Sequence, residues 1–424
     1  MSDKKGFFGW YVVIGAFLIM SMPFGIIFLS HSIFLSSVTQ ALGITATQFS
    51  LVFTIVGLST GIMSPIMGRI MRKYSIKVIM LVCSIVTSIS FAAFGAATEL
   101  WQMYLLSVIV GIAATGVTQV PISYVLANWF PSKKKGLATG IAFAGGNIGS
   151  FLIIQATLRA IPVIGYQKCY FILGALMLVI TIPTTLFLIQ GKPSDLGQVP
   201  YGFDEEVSDN TKEAKKEKAI TGVTFAEAKK TPLFWIFILA IVFLGIIFAG
   251  VRMHIPNYME SVGHPLGFVT TITSVISLLG LVSNVIVGSI LEKLGLSKGM
   301  FIIGGFMTLG IVALIFGTSS FMMILVALFY GFFCAIASMG PSYLTSEMFG
   351  TKDFAAIFGI VMMFFQFGGA IGPAISGFVF DTTGSYNATW IIYTVVSIFT
   401  FGVFLLSIKL SNKNNKEEKD LCIE

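Results

Sequence analysis

Twelve runs of mostly apolar residues follow one another along this chain. Each is close to the roughly 20 residues that a helix needs to cross a bilayer. Backbone groups in hydrocarbon must be satisfied within their own segment, so runs of this length read as helices. They cover approximately 9–36, 47–70, 76–97, 101–128, 136–158, 166–189, 232–258, 267–291, 299–317, 321–346, 354–380 and 386–409. The chain is 56% hydrophobic and only 11% charged, with a mean hydropathy of +0.92. A soluble protein of 424 residues could not bury that much apolar surface, whereas a bilayer can cover it. The expected class is therefore an all-α integral membrane protein. Its four cysteines (Cys83, Cys169, Cys334, Cys422) show neither CxxC pairing nor metal-ligand spacing. No metal or cofactor is expected. The first apolar run exceeds twenty residues and lacks a small-residue cleavage site, so it reads as a span and not as a signal peptide.

The cations set an orientation. Of 26 Lys and Arg, 23 fall in the termini or in alternate loops: Lys4 and Lys5, Arg69 to Lys77, Lys133 to Lys135, the central loop, Lys293, Lys298, Lys352 and the tail. The exceptions are Arg159, Lys168 and Arg252. Cytoplasmic loops carry the excess of Lys and Arg, so both termini are expected in the cytoplasm, at the plasma (inner) membrane. The net charge of +7 is then a topology signal. Spread over short loops, it leaves no nucleic-acid footprint. Residues 191–231 are polar, with seven cations and eight acids, and read as a cytoplasmic linker, partly disordered or carrying a short surface helix. The expected organisation is a six-helix bundle over 1–190, the linker over 191–231, a second bundle over 232–410 and a polar, mobile cytoplasmic tail over 411–424.

A short phrase recurs after the second and eighth runs, 220 residues apart. It reads Gly68-Arg69-Ile70-Met71-Arg72-Lys73-Tyr74-Ser75 and Gly288-Ser289-Ile290-Leu291-Glu292-Lys293-Leu294-Gly295. Repetition at half the chain length indicates two similar halves. The 6+6 pattern, the linker and this turn resemble the major facilitator superfamily, whose turn is roughly G-x-x-x-D-[RK]-x-G-x-[RK]. The resemblance implies two pseudo-symmetric six-helix bundles that rock around a central site. The second copy keeps Gly288, an acid at Glu292, and Lys293. The first keeps Gly68 and Lys73 but has Arg72 in place of the acid and Ser75 in place of the second glycine. The resemblance gives that acid a part in locking the halves, so Arg72 puts the latch of the N-terminal half in question.

A second stretch, Asn128-Trp129-Phe130-Pro131-Ser132-Lys133-Lys134-Lys135-Gly136-Leu137-Ala138-Thr139-Gly140, is similar to the turn after span four in monocarboxylate porters and the oxalate:formate antiporter group. The start, Gly6-Phe7-Phe8-Gly9-Trp10, is similar to their entry to span one, and His254-Ile255-Pro256-Asn257-Tyr258 to a stretch of span seven in bacterial members. This resemblance implies a small organic anion as substrate. Those porters usually bind its carboxylate with an Arg in span eight, four residues before the turn glycine. Here that position is Asn284, which is neutral.

Ionisable groups in hydrocarbon are costly, at about 2.5–3.5 kcal/mol each on insertion scales, and therefore informative. No Asp or Glu lies clearly inside a span. His31 falls in span one; Arg252 and His254 fall in span seven. Arg252 reads either as snorkelling to headgroups or as a guanidinium that replaces the missing anion anchor. His31 and His254 read either as neutral, bonded imidazoles or as proton carriers. The candidate substrate-binding set is His31, Tyr124, Asn147, Arg252, His254, Asn284, Tyr343 and Gln366; for each neutral member the alternative is interhelical packing. Gly145, Gly149, Gly368 and Gly372 form small-xxx-small ridges on spans five and eleven, which suits an interface that moves against spans eight and two, although plain packing accounts for them equally well.

The expected function is a secondary transporter of a small organic anion, by proton symport or anion exchange, acting as a monomer in the lipid bilayer. The alternative is a transporter of a neutral metabolite or drug-like compound, favoured by Asn284 and by the Phe- and Met-rich spans. A transporter-like sensor is disfavoured by the short linker. An enzyme is disfavoured because no nucleophile–base set or phosphate loop stands out.

Overall fold

The computed structural model describes residues 7–131, 134–201 and 222–421, apart from the side chains of residues 31, 32, 36, 46, 47, 50, 266, 381 and 413–421. Lys4, Lys5 and Lys133 lie outside the described residues. Twelve helices among the described residues are long and apolar enough to cross a membrane: Gly9–Leu29, Leu51–Lys73, Ile76–Ala96, Leu100–Trp129, Lys135–Ile164, Tyr166–Phe187, Pro232–Ser261, Gly267–Leu294, Leu296–Ile315, Ser320–Phe349, Phe354–Phe380 and Asn387–Asn412. We number them as spans one to twelve. The chain divides into two compact units, Met1–Thr221 with Phe354–Met363, and Gly222–Asp353 with Phe364–Glu424.

Within each unit the closest helix contacts are made by glycine. In the first, a Cβ on Gly145 would strike the Phe17 carbonyl and one on Gly149 the Ser21 carbonyl, so spans five and one meet backbone to backbone. In the second, Gly368 lies against the Val242 carbonyl, Gly372 against that of Ile246, and Gly245 against that of Phe365. Spans eleven and seven thus repeat the contact. The ridges expected to serve a moving interface face a partner inside their own unit. Without a hydrophobic drive between helices in lipid, such close backbone approach is a main source of cohesion.

Two spans depart from the continuous helices expected. Span one is α-helical over Gly9–Ile19 and π-helical over Met20–Leu29; after it come a 3₁₀ turn, His31–Phe34, and a separate helix, Leu35–Leu42. Pro23 has no N–H for the ladder, and the Ser30 hydroxyl donates to the Gly25 carbonyl at 2.7 Å. Span four breaks between Leu100–Thr115 and Gln119–Trp129. Pro121 cannot donate to the preceding turn, and the Thr118 hydroxyl takes the Ala114 carbonyl at 2.7 Å. Span ten carries Pro341 at the matching place yet stays unbroken.

The segment after span twelve, expected to be mobile, continues as helix to Leu421. It contains neither Gly nor Pro and is rich in Lys and Glu, which favour helix. The central linker is docked at both ends. The Tyr201 N–H donates to the Trp129 carbonyl at 2.9 Å, and the Val223 N–H donates to the Phe349 carbonyl at 3.1 Å. Trp129 and Phe349 stand 220 residues apart, at the ends of spans four and ten. Beside the first bond, Tyr201 stacks on Phe130 at 5.5 Å and lies under the Lys134 ammonium at 5.2 Å. Beside the second, the Phe225 N–H donates to the Asp353 carboxylate at 2.9 Å, and Phe225–Ala228 form a short helix capped by Thr224.

The two copies of the turn end their helices differently. The first helix ends at Lys73, with Arg72 and Lys73 in its last turn, where cations complement the helix dipole. Tyr74 is then extended and Ser75 has an ordinary φ of −60°. The second ends at Leu294, and Gly295 turns the chain with φ +77°. A side chain there is strained by about 1 kcal/mol or more. Gly295→Ser is therefore expected to lower the melting temperature by a few degrees, while Ser75→Gly changes it little; thermal unfolding in detergent checks both. Gly68 has its own packing reason: a Cβ there would strike the Ala355 carbonyl within the first unit. Gly288 is buried, Glu292 is half-buried, and Arg72, Lys73 and Lys293 are exposed.

Candidate functional site

Polar side chains inside a span must find partners or face a wet cavity. A polar group already bonded inside the protein serves packing, and one left unspent is available to a ligand.

Asn284 is fully buried on span eight. Its amide N–H donates to the Gly280 carbonyl at 2.8 Å, and its amide oxygen accepts from the Ser338 hydroxyl of span ten at 2.7 Å. Ser338 was not singled out by the sequence, since a lone serine in an apolar run carries no signal of its own. Both ends of the amide are engaged, one within span eight and one across to span ten, and the neighbouring Ser283 hydroxyl reaches the Gly331 carbonyl at 3.1 Å. This pattern is interhelical cohesion.

Arg252 is different. It lies nine residues before the end of span seven, so about 14 Å of helix separates it from that end. The guanidinium stands over the Phe248 ring, 5.8 Å from the centroid, one helical turn back. It acts electrostatically on the Tyr330 hydroxyl and the Cys334 thiol of span ten, both of which are buried. Tyr330 in turn donates to the Phe248 carbonyl at 2.9 Å. Arg252 is thus half-buried and directed at span ten. No carboxylate pairs with it among the described residues.

In the first unit Tyr124 and Asn147 are half-buried, and in the second so is Gln366; their side chains make no hydrogen bond among the described residues. Only the Asn147 backbone is used, its carbonyl accepting from Ser150 at 3.0 Å. Tyr343 is buried on span ten. His31 begins the 3₁₀ turn after span one; its side chain lies outside the described residues.

His254 leaves span seven in another direction, two residues and about 200° from Arg252. Its Nε2 is 3.2 Å from the Pro373 carbonyl of span eleven, and its Nδ1 is 3.1 Å from the Tyr386 hydroxyl near the start of span twelve. Tyr386 is buried, stacked on Phe380 at 4.4 Å and on Trp390 at 5.6 Å. His264 bonds the Gly317 carbonyl at 2.7 Å and is accounted for by that contact. Among the described residues no group of His, Cys, Asp and Glu is arranged to hold a metal.

A helical membrane protein with repeated close contacts in two units, and with a few unspent polar groups in its spans, has the construction of a transporter. The family model of the Major Facilitator Superfamily matches residues 7–320 and 266–421, and the chain belongs to that superfamily. Monocarboxylate transporter 12 of Xenopus laevis is 21% identical, over 98% of this chain and 92% of the relative. The oxalate:formate antiporter of Oxalobacter formigenes is 23% identical, over 93% and 90%. Among solved structures, the E. coli fucose:proton symporter shares the fold with a TM-score of 0.66 at 14% identity, covering 94% of this chain and 97% of that one. The chain is therefore a multi-pass membrane transporter of the superfamily.

Proposed function

We propose that the chain moves a small organic anion, a monocarboxylate or dicarboxylate, across the plasma membrane by alternating access, as a monomer with both termini in the cytoplasm. The observation that carries this reading is Arg252, a half-buried cation inside a span with no carboxylate partner among the described residues. Holding an unpaired charge there is costly, and an anionic ligand offsets that cost through paired N–H···O bonds. Tyr124, Asn147 and Gln366 supply further unspent polar groups. The names of the relatives, a monocarboxylate transporter and an oxalate:formate antiporter, support an anion. The missing span-eight Arg then matters less, because the cation stands on span seven instead.

The test is uptake of labelled lactate, formate and oxalate by liposomes containing the purified protein, against protein-free liposomes, by net flux and by exchange. Saturable uptake is expected for at least one acid. A protein that moves none of them under any gradient, yet takes up neutral or drug-like compounds, reverses the reading in favour of a neutral substrate, for which the absence of a cation at the Asn284 position speaks.

A further inference from the structure

We propose that His254, held between Pro373 and Tyr386, binds the proton that travels with the anion; this rests on the anion reading above.

A carbonyl oxygen only accepts hydrogen bonds, so the contact to Pro373 places a hydrogen on Nε2. In the neutral ring Nδ1 is then the acceptor and the Tyr386 hydroxyl is its donor. The pair is built to accept one more proton. When Nδ1 is protonated it becomes a donor, the Tyr386 O–H turns away, and the phenolic oxygen accepts from Nδ1–H. The Nε2–H bond to Pro373 is unchanged. The ring gains one positive charge, the anion at Arg252 brings one negative charge, and on release the proton returns from Nδ1 to water. The step transfers one proton and no other atom.

The surroundings suit this role. Span seven presents Arg252, Tyr258 and Glu260 on the same helix; the Tyr258 hydroxyl is engaged by the Leu314 carbonyl at 2.7 Å. Tyr386 stands just before span twelve and Tyr393 lies on it, and Tyr393 is engaged by the Gly372 carbonyl at 2.7 Å. Span ten presents Tyr330 and Cys334. Span eleven carries Asp381 two turns beyond Pro373, next to Phe380, whose ring stacks on Tyr386. Arg252 and His254 are joined by one turn of helix that ends at Pro256, which has no N–H for the Arg252 carbonyl. A helix turn missing that bond bends readily, so occupancy on one face of span seven can be felt on the other.

The experiment uses the full chain in liposomes with the labelled acids above. With the outside one pH unit more acidic, one proton per anion supports about tenfold accumulation beyond protein-free vesicles. Proton entry, followed by a trapped pH dye, should match anion entry. His254→Gln presents an amide to both partners but cannot take up the proton. It is expected to lose the accumulation and the proton entry while still exchanging labelled for unlabelled anion at equal pH. Accumulation and proton entry at wild-type levels in His254→Gln overturn the proposal. So does loss of exchange in a monodisperse variant, which would make His254 part of the anion site. If His254→Gln does not fold, Tyr386→Phe decides: a displaced pH profile of uptake is expected, and an unchanged profile overturns the assignment. Wild-type exchange without proton movement sinks this inference alone; absence of all anion transport sinks the anion reading with it.

Discussion

Arg252→Gln should abolish anion transport while leaving the protein folded. A bidentate guanidinium–carboxylate contact removed from bulk water is worth about 3 kcal/mol, which corresponds to roughly a hundredfold loss in affinity. Glutamine is close in length and polar, so the packing beside Phe248 and Tyr330 survives, and size-exclusion behaviour and melting temperature in detergent should change little. Arg252→Lys separates charge from geometry: it keeps the cation, loses the planar fork, and should retain roughly a tenth of the uptake. Equal transport by wild type and Arg252→Gln would return Arg252 to a packing role against span ten.

The second large effect belongs to folding. Gly149→Val and Gly372→Val should each remove most of the folded protein recovered from membranes. In both places the first atom of the new side chain would occupy the position of a carbonyl oxygen on the neighbouring span, Ser21 or Ile246. The helices must then separate by an ångström or more, and the loss exceeds that of ordinary overpacking, about 1–3 kcal/mol. Gly305 and Gly402 provide the comparison. Both lie in spans, and neither has any atom within 4 Å of an added Cβ. Valine there should give near-normal yield. If all four variants behave alike, the contacts between spans one and five and between spans seven and eleven are not what holds each unit together.

The number of spans was legible because hydrocarbon admits few alternatives to helix, and the repeat was legible because Gly68 and Gly288 head similar turns. The interruptions in spans one and four were not. Proline is common in membrane helices, and Pro341 leaves span ten intact while Pro121 accompanies a break, so the residue alone does not decide. At the site, Arg252 and His254 stood out because charge is rare at depth. Their directions did not: two residues on one helix point about 200° apart, and only the neighbours, Cys334 and Tyr330 for one, Pro373 and Tyr386 for the other, reveal the division of labour. The same holds for Asn284, whose engagement depends on Ser338, 54 residues away.

The linker bonds to Trp129 and Phe349 have a consequence for how such a chain tolerates change. The polar stretch between the halves is not one unit of sequence, because its two ends are held by different halves. Residues 192–201 belong structurally to the first half and residues 222–231 to the second, each secured by a backbone bond at the same place in the repeat. A shift of one residue at either docking point would pull Tyr201 from Phe130 or Phe225 from Asp353.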